Sequence, residues 1–299
     1  MKKLKFFSTF TGIGGLDWGL EKIDAECIGF AEIKESSIKA YSSHYPNRKN
    51  FGDITKIDPK ELPDFDVFTG GFPCQSFSIA GDRKGFKDRR GQMIFFIYDI
   101  LVAKKPEFVV LENVKGLLTH NNGKTYQNVF KILSSAGYSV RCVLLNASHH
   151  GSAQARERIV FLCRRGKDFN KKNPEKVDGS ARFRDIRDTN QKVYRYVSPE
   201  TLEKFMDGRR KATFIGGYDK VNTLTTGAST SGRASVVVQE KDGRFRYLTE
   251  LEGERLQGFP DGWTECLSRV DRWYAIGNAV NCKISEYLFT DYLKDLWFK

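Results

Sequence analysis

The sequence has no pair of cysteines spaced C-x-x-C, although it contains six cysteines in 299 residues. Zinc sites and redox dithiols usually carry such a pair, so the sequence supports neither. The adjacent His149 and His150 have no cysteine or carboxylate near them and do not predict a metal site. Scattered single cysteines are typical of reduced thiols, and we expect a cytoplasmic protein.

Long apolar segments are also missing. No run approaches the roughly 18 apolar residues that a membrane-spanning helix requires. No such segment follows the basic start at residues 1–5, so the sequence predicts neither a signal peptide nor a membrane anchor. There is no internal repeat and no low-complexity tract. With 40% hydrophobic residues, the chain can build a large core and does not resemble a disordered protein.

Acidic residues are fewer than basic residues. The 49 Lys and Arg residues exceed the 37 Asp and Glu residues, which gives a formal net charge of +12. This excess favours a polyanionic partner, with nucleic acid first and an acidic membrane second. A basic cytosolic protein without such a partner would show the same balance.

The first third of the chain alternates predicted strands and helices around a glycine-rich turn. Strands are predicted at 6–10 and 27–31, and helices at 16–23 and 35–45. The turn at 11–15 and the following helix are typical of a nucleotide-binding βαβ unit, although glycine turns also occur simply at strand–helix corners.

Two acids follow this unit. Glu32 lies 20 residues after Gly12, where a carboxylate can accept hydrogen bonds from ribose hydroxyls. The pattern G-x-G-G lacks the third glycine of the dinucleotide motif and leaves an adenosyl ligand without a pyrophosphate as a good candidate. Asp53 and Ile54 are suited to an adenine amino group and its apolar wall, or Asp53 caps a turn.

Cys74 follows a short apolar strand predicted at 65–68 and the turn Gly70-Gly71-Phe72-Pro73. It should therefore lie beyond the carboxyl end of a strand, where open α/β sheets bind ligands. A single cysteine is more often a small buried hydrophobe. The tight polar turn around it instead favours a nucleophile, with the charged segment 82–91 as a lid.

Glu112 follows the next predicted strand, at 108–111, whose continuous apolar character is typical of a parallel sheet. Reactive residues after two strands indicate a shared active edge. A partly buried carboxyl there can stay protonated and donate a hydrogen bond. The alternative is that Glu112 caps the following helix.

Gln154, Arg156 and Arg158 alternate along the chain. In an extended backbone all three would point the same way, and guanidinium groups suit a phosphate or a base oxygen. A solvated strand edge is the alternative.

The composition changes after residue 164, and residues 205–246 are rich in Gly, Thr, Ser and Arg with short β segments. Such loops carry the groups that read base edges and phosphates. Helix returns at 250–257. We predict a further helix that begins at Gly277-Asn278, runs to about residue 297 and packs against the first βαβ unit.

Taken in order, these motifs resemble those of the bacterial DNA (cytosine-5) methyltransferases of restriction–modification type. The match runs nearly end to end and includes Glu252-x-x-Arg255 and Thr223-Leu224. The resemblance implies an α/β, Rossmann-like S-adenosylmethionine-dependent methyltransferase sheet. It also implies a catalytic domain at 1–179 and 251–299 and a small, mostly β and loop target-recognition domain at 180–250.

The resemblance further implies transfer of a methyl group from S-adenosylmethionine to C5 of a flipped-out cytosine in a short duplex DNA sequence, through a bond between Cys74 and C6. Activation of the Cys74 thiol is expected. The implied catalytic residues are Cys74, Glu112, Arg156 and Arg158. The implied cofactor residues are Phe10, Thr11, Gly12, Ile13, Gly15, Leu16, Glu32, Ile33, Asp53, Ile54, Gly71, Pro73, Asn278 and Val280. The implied DNA-binding residues are Gln75, Ser78, Arg90, Gln154 and Thr223. We expect a monomer that acts on double-stranded DNA, with a restriction endonuclease as a possible functional counterpart.

Three other functions compete with this interpretation. RNA-modifying relatives typically carry Pro-Pro-Cys-Gln, whereas this chain has Phe72-Pro73-Cys74-Gln75, which favours DNA. A non-catalytic DNA-binding protein would not need Cys74 and Glu112 together with the arginines. A nicotinamide-dependent dehydrogenase would leave the Pro-Cys-Gln motif unexplained.

Overall fold

The computed structural model describes residues 3–73, 93–169, 171–189, 195–226 and 235–297. Within these residues, a central sheet has six strands in the order β2, β1, β3, β4, β7, β5. Strands β1 to β4 are parallel, and β7 runs antiparallel to both β4 and β5. The strands are β1 Lys5–Thr9, β2 Glu26–Ala31, β3 Val67–Gly70, β4 Phe108–Val114, β5 Tyr138–Asn146, β6 Gln154–Ala155, β7 Glu157–Arg165, β8 Ala212–Ile215, β9 Val221–Asn222, β10 Ser235–Gln239 and β11 Phe245–Tyr247.

Helices cover both faces of this sheet, so the fold is a three-layer α/β arrangement. The helices are α1 Gly15–Glu21, α2 Glu35–His44, α3 Met93–Lys104, α4 Lys124–Ser135, α5 Phe183–Ile186, α6 Pro199–Met206, α7 Glu250–Gln257, α8 Arg269–Asn278, α9 Cys282–Tyr287 and α10 Lys294–Trp297. A π-helical segment, Leu288–Tyr292, joins α9 to α10. The α/β sheet predicted from the sequence is confirmed.

The two faces of the sheet have separate cores because strand side chains alternate. Phe7, Phe68 and Val109 pack with α3 and α4 on one face. Their neighbours Phe6, Val67, Phe108 and Val110 pack with α1, α9 and α10 on the other face. Continuous apolar strands are therefore required, as predicted, since both faces are buried.

The register of the strands brings their carboxyl ends to one edge. Thr9 is paired with Ala31 on one side and with Gly70 on the other, and Gly70 is paired with Leu111. The chain goes from β1 to β2 on one side of the sheet and from β3 to β4 on the other. The switch point of the sheet therefore lies between β1 and β3. Ligands of open α/β sheets bind in the crevice at such a point.

A second sheet of three strands, in the order β11, β10, β8, lies in the segment predicted to recognise the target. Its residues share a core with α7 and α8, since Val236 and Val238 pack with Leu256, Trp273 and Ile276. The domain limits of the sequence analysis remain a prediction. The small sheet is nevertheless fastened to the C-terminal helices by a continuous apolar contact.

The expected helix start at Gly277-Asn278 was wrong. These two residues end α8, and a new helix begins only after Asn281, whose side chain accepts a hydrogen bond from the amide of Lys283 at 3.0 Å. An asparagine cap marks the start of α9. Among the residues that the structure describes, no helix is long and apolar enough to cross a membrane.

Candidate active site

The loop after β1 has the left-handed backbone that its glycines allow. The φ angles are +57° at Gly12 and +91° at Gly14, and Phe10 also has a positive φ of +49°. The amide of Gly12 donates to Oε2 of Glu32 at 2.8 Å. The other carboxylate oxygen of Glu32 accepts from the amides of Ile33 and Lys34 at 2.8 and 2.9 Å. Glu32 therefore joins the glycine loop to the start of α2.

Asn50 supports this acid, a role that the sequence analysis missed. Its side chain donates to the carbonyl of Glu32 at 3.0 Å and accepts from the amide of Gly52 at 2.9 Å. Asp53 follows directly, and its Oδ1 accepts from the amide and hydroxyl of Thr55 at 2.9 and 2.8 Å. The turn-capping alternative for Asp53 is thus confirmed, and its contact with an adenine remains a prediction.

The C-terminal motif packs against the glycine loop, as predicted. A Cβ atom on Gly15 would lie 2.1 Å from the carbonyl oxygen of Val280, so only glycine fits there. The hydroxyl of Ser285 donates to the carbonyl of Gly15 at 2.6 Å. The indole of Trp263 donates to the carbonyl of Ile13 at 2.9 Å. Val280 is therefore held as a wall beside the loop, whereas Asn278 is exposed at the end of α8.

The residues at this edge fit an adenosyl ligand. Ile33 is 69% exposed and directly follows Glu32, so an apolar surface is available beside the Glu32 carboxylate. A Cβ atom on Gly12 would meet nothing within 4 Å, which leaves open space against the loop backbone. Leu16 and Ile54 are buried in the cores on opposite faces of the sheet, and their contact with a cofactor stays a prediction.

Glu112 is part of β4 and faces β7. Its Oε1 lies 2.9 Å from Nε of Arg158, and each side chain is 11% exposed. Burial raises the pKa of Glu112, while the positive charges of Arg158 and Arg156 oppose this rise. The helix-cap alternative is wrong, because the following 3₁₀ turn at 115–118 begins after Val114 without a side-chain cap.

The loop after β3 lies directly against this pair. A Cβ atom on Gly71 would be 3.4 Å from Oε2 of Glu112 and 3.8 Å from Cγ2 of Val280. The side chain of Asn113 donates to the carbonyl of Phe72 at 2.8 Å. The strand that carries Glu112 thus holds the backbone that leads into Cys74, a role of Asn113 that sequence reasoning did not assign.

Several predicted residues lie outside the described residues. They are Cys74, Gln75, Ser78 and Arg90, together with the proposed lid at 82–91. Pro73, the residue before Cys74, is described and exposed. The roles of these residues therefore stay predictions.

The expectation that Gln154, Arg156 and Arg158 all face a ligand was wrong for the first two. Gln154 is fully buried, and its amide group donates to the carbonyl of Leu256 at 3.1 Å. Arg156 is 1% exposed and donates to the carbonyls of Leu224, Gly277 and Ala279 at 2.8 to 3.1 Å. The reason is that Gln154 lies in β6, which pairs with β9 rather than continuing β7. Only Arg158 reaches the Glu112 carboxylate.

Thr223, the other predicted DNA-binding residue among those described, is exposed and donates to the carbonyl of Ala155 at 2.9 Å. This bond fixes the start of the Thr223-Leu224 segment beside the strand that leads to Arg158. Contact of Thr223 with DNA remains a prediction.

A family model described as C-5 cytosine-specific DNA methylase matches residues 4–294 of the chain. The type II methyltransferase M.BsuFI of Bacillus subtilis is 35% identical over 285 residues, covering 93% of this chain and 69% of the relative. M.NlaX of Neisseria lactamica is 33% identical over 287 residues, covering 92% of each. The solved Dnmt2 methyltransferase of S. pombe is 22% identical, with a TM-score of 0.83 and coverage of 99% and 100%, and shares the fold.

The six-stranded sheet with helices on both faces has the fold of an S-adenosylmethionine-dependent α/β methyltransferase. The chain belongs to the C-5 cytosine-specific DNA methylase family and is a DNA (cytosine-5-)-methyltransferase of the restriction–modification type. Membership implies S-adenosylmethionine as the methyl donor and C5 of cytosine in DNA as the acceptor. The resemblance stated from the sequence motifs is confirmed.

Proposed function

We propose that this protein methylates C5 of a flipped-out cytosine in a short double-stranded DNA sequence through a covalent bond between Cys74 and C6. The observation that carries the proposal is the buried pair of Glu112 and Arg158 beside Gly71, in which Oε1 of Glu112 lies 2.9 Å from Nε of Arg158. Cys74 is three residues beyond Gly71 in the sequence, and the proposal places its thiol at the same edge of the sheet as the carboxyl and the guanidinium.

The cofactor is proposed to lie along the glycine loop. Glu32 would accept hydrogen bonds from the ribose hydroxyls, while Ile33, Ile54 and Asp53 would bind the adenine. Gly12 and Gly15 let the loop backbone approach the ligand. Val280 closes the far side, since its carbonyl already fills the space where Gly15 has no side chain. When bound, S-adenosylmethionine supplies the methyl group.

Each protein group has one task in this chemistry. The Cys74 thiolate attacks C6, and the electrons of the C5–C6 bond move toward N3, where the Glu112 carboxyl donates a proton or hydrogen bond. A raised pKa suits this role, because the proton must be present near neutral pH. Arg158 stabilises charge on the base oxygen. After methyl transfer, loss of the C5 proton returns the electrons and expels the Cys74 thiolate.

Double-stranded DNA must deform for this reaction. C5 and C6 of a stacked cytosine are out of reach of a thiol in a crevice, so the base has to leave the helix. The segment 180–250 is proposed to read the target sequence. The net charge of +12 would hold the phosphates, and binding should weaken steeply with salt.

The decisive experiment compares Cys74→Ser with Cys266→Ser. Cys266 is partly buried in the turn at 261–266 before α8, and its thiol donates a hydrogen bond to the hydroxyl of Ser43 at 3.8 Å. We expect the first variant to lose methyl transfer and to keep S-adenosylmethionine binding, and the second to keep both. Duplex DNA with 5-fluorocytosine at the target should form an adduct that survives denaturation with the unmodified protein and with Cys266→Ser, but not with Cys74→Ser. Turnover by Cys74→Ser would exclude the covalent route.

Transfer to tRNA should be measured in the same assay. If tRNA accepts methyl groups and duplex DNA does not, the acceptor assignment fails while the chemistry stands.

A further inference from the structure

A chain of hydrogen bonds runs beneath the glycine loop and is not explained by the chemistry above. The hydroxyl of Thr11 donates to the hydroxyl of Ser8 at 3.1 Å, and Ser8 donates to Oδ1 of Asp17 at 2.7 Å. The phenol of Tyr41 donates to Oδ2 of Asp17. Arg48 completes the chain and donates to the Tyr41 oxygen at 2.7 Å. Asp17 is therefore the centre of a connection between β1, α1 and α2.

These groups are enclosed in the protein. Asp17 and Tyr41 are 0% exposed, Ser8 is 1% exposed and Thr11 is 8% exposed. Burial of an acid is costly unless its oxygens are hydrogen-bonded, so the partners and the acid are held together. Burial raises the pKa of Asp17, and its hydrogen bonds to Tyr41 and Ser8 oppose this rise.

The network touches the glycine loop at two points. Thr11 is part of the loop, and its carbonyl accepts from the amide of Gly14 at 3.0 Å. Gly14 in turn lies against the network, because a Cβ atom there would be 3.0 Å from the Tyr41 ring. The loop that contains Gly12 is thus supported at both ends of its turn, by Thr11 and by Gly14.

The loop needs such support because its backbone is unusual. Phe10, Gly12 and Gly14 all have positive φ angles, and flexible glycines sample many other conformations when nothing holds them. When a ligand binds only one loop conformation, its apparent affinity is reduced to the fraction of molecules that have this conformation.

We propose that Asp17 is a positioning residue for the cofactor: it holds the glycine loop in the conformation in which the Gly12 amide meets Glu32. Asp17 touches neither substrate, and it acts through Ser8, Thr11 and Tyr41. This inference rests on the proposed placement of S-adenosylmethionine along the loop. It predicts an effect on cofactor affinity without a matching effect on the chemical step.

The test compares Asp17→Asn and Tyr41→Phe with Tyr138→Phe. The Asn side chain is nearly the same size, but it has a single acceptor oxygen, so it cannot accept hydrogen bonds from Ser8 and Tyr41 on two oxygens as Asp17 does. Tyr138 is a matched control, since it is also buried and its phenol donates one hydrogen bond, to the carbonyl of Pro106 at 2.9 Å, far along the sheet from the loop.

For Asp17→Asn and Tyr41→Phe, the Kd and KM for S-adenosylmethionine should both rise about tenfold, with kcat changed less than about twofold. Tyr138→Phe should leave KM unchanged even if its melting temperature falls. Ser8→Ala, which removes one link with little change in shape, serves as a second variant if Asp17→Asn does not fold.

Unchanged KM in the loop variants, a drop in kcat alone, or an equal rise in KM for Tyr138→Phe would overturn the proposal. Failure of the unmodified protein to bind S-adenosylmethionine would instead contradict the proposed function. The two failures are therefore distinguishable in the same binding measurement.

Discussion

The carbonyl oxygen of Leu224 accepts a hydrogen bond from Nη1 of Arg156 at 3.0 Å, and both groups are buried. The amide of Leu224 is also bonded, to Oε1 of Gln154 at 2.9 Å. One residue of the segment predicted to recognise the target is thus held through its amide and its carbonyl by Gln154 of β6 and by Arg156, which lies between β6 and β7. The same guanidinium binds Gly277 and Ala279 at the end of α8. Arg156 therefore fastens three parts of the chain to one another beside Glu112.

Substitution of Arg156 by methionine should lower stability strongly. It leaves the carbonyls of Leu224, Gly277 and Ala279 buried without a charged donor, and the free energy of unfolding should fall by about 3–5 kcal/mol. Urea unfolding measures the change. Arg165→Met is the control, because Arg165 is exposed and its guanidinium donates a long hydrogen bond of 3.3 Å to the carbonyl of Lys105. An equal loss in both variants would contradict the role of Arg156.

The free energy of unfolding should depend on pH because Glu112 titrates differently in the folded and unfolded states. Burial raises its pKa above the ordinary 4.5, so the folded protein binds this proton more tightly than the unfolded chain does. The associated stability is complete below the unfolded pKa and is lost as pH rises through the folded pKa.

Because glutamine cannot ionise, the melting temperature of Glu112→Gln minus that of the unmodified protein should increase between about pH 4 and about pH 8. Glu107→Gln, at the exposed glutamate directly before β4, is the control for loss of one carboxylate. A difference that stays flat with pH would rule out the raised pKa.

Gly15→Ala should be much more harmful than Gly116→Ala. The added Cβ atom would lie 2.1 Å from the carbonyl of Val280, whereas a Cβ atom on Gly116 would meet nothing within 4 Å. Displacement of Val280 should cost roughly 1–3 kcal/mol of stability and weaken cofactor binding. Thermal unfolding and S-adenosylmethionine titration of both variants check this. Equal behaviour would mean that the Gly15–Val280 contact does not form.

Glu252→Gln should detach the small sheet. Glu252 and Arg246 are fully buried and form two hydrogen bonds of 2.7 and 2.8 Å. The substitution leaves Arg246 its ion pair with Glu240 but removes the Glu252 charge from two buried hydrogen bonds, which should cost roughly 1.5–3 kcal/mol.

Glu203→Gln is the matched variant, since Glu203 pairs with Arg209 in solvent, and it should change little. Limited proteolysis should cut Glu252→Gln first between residues 180 and 250. Equal resistance of both variants would show that the buried pair does not hold the sheet.

The amino-acid sequence by itself determined the alternation of strands and helices and the edge of the sheet at which the glycine loop, Glu32 and Glu112 lie. Apolar runs such as Phe108–Leu111 must be buried on both faces, and parallel strands place Gly12, Glu32, Gly71 and Glu112 at one end of the sheet. The order of the motifs sufficed for the family. These features depend on local pattern, and no long-range contact was needed to predict them.

Only the tertiary structure decided what individual polar side chains bind. The alternation of Gln154, Arg156 and Arg158 indicated one shared face, yet two of these residues bind backbone groups of Leu224 and Leu256, which lie far along the chain. Asp17 gave no signal beyond being an acid among apolar neighbours in α1. Hydrogen-bond partners distant in sequence are set by the packing of whole elements, and periodicity carries no information about them.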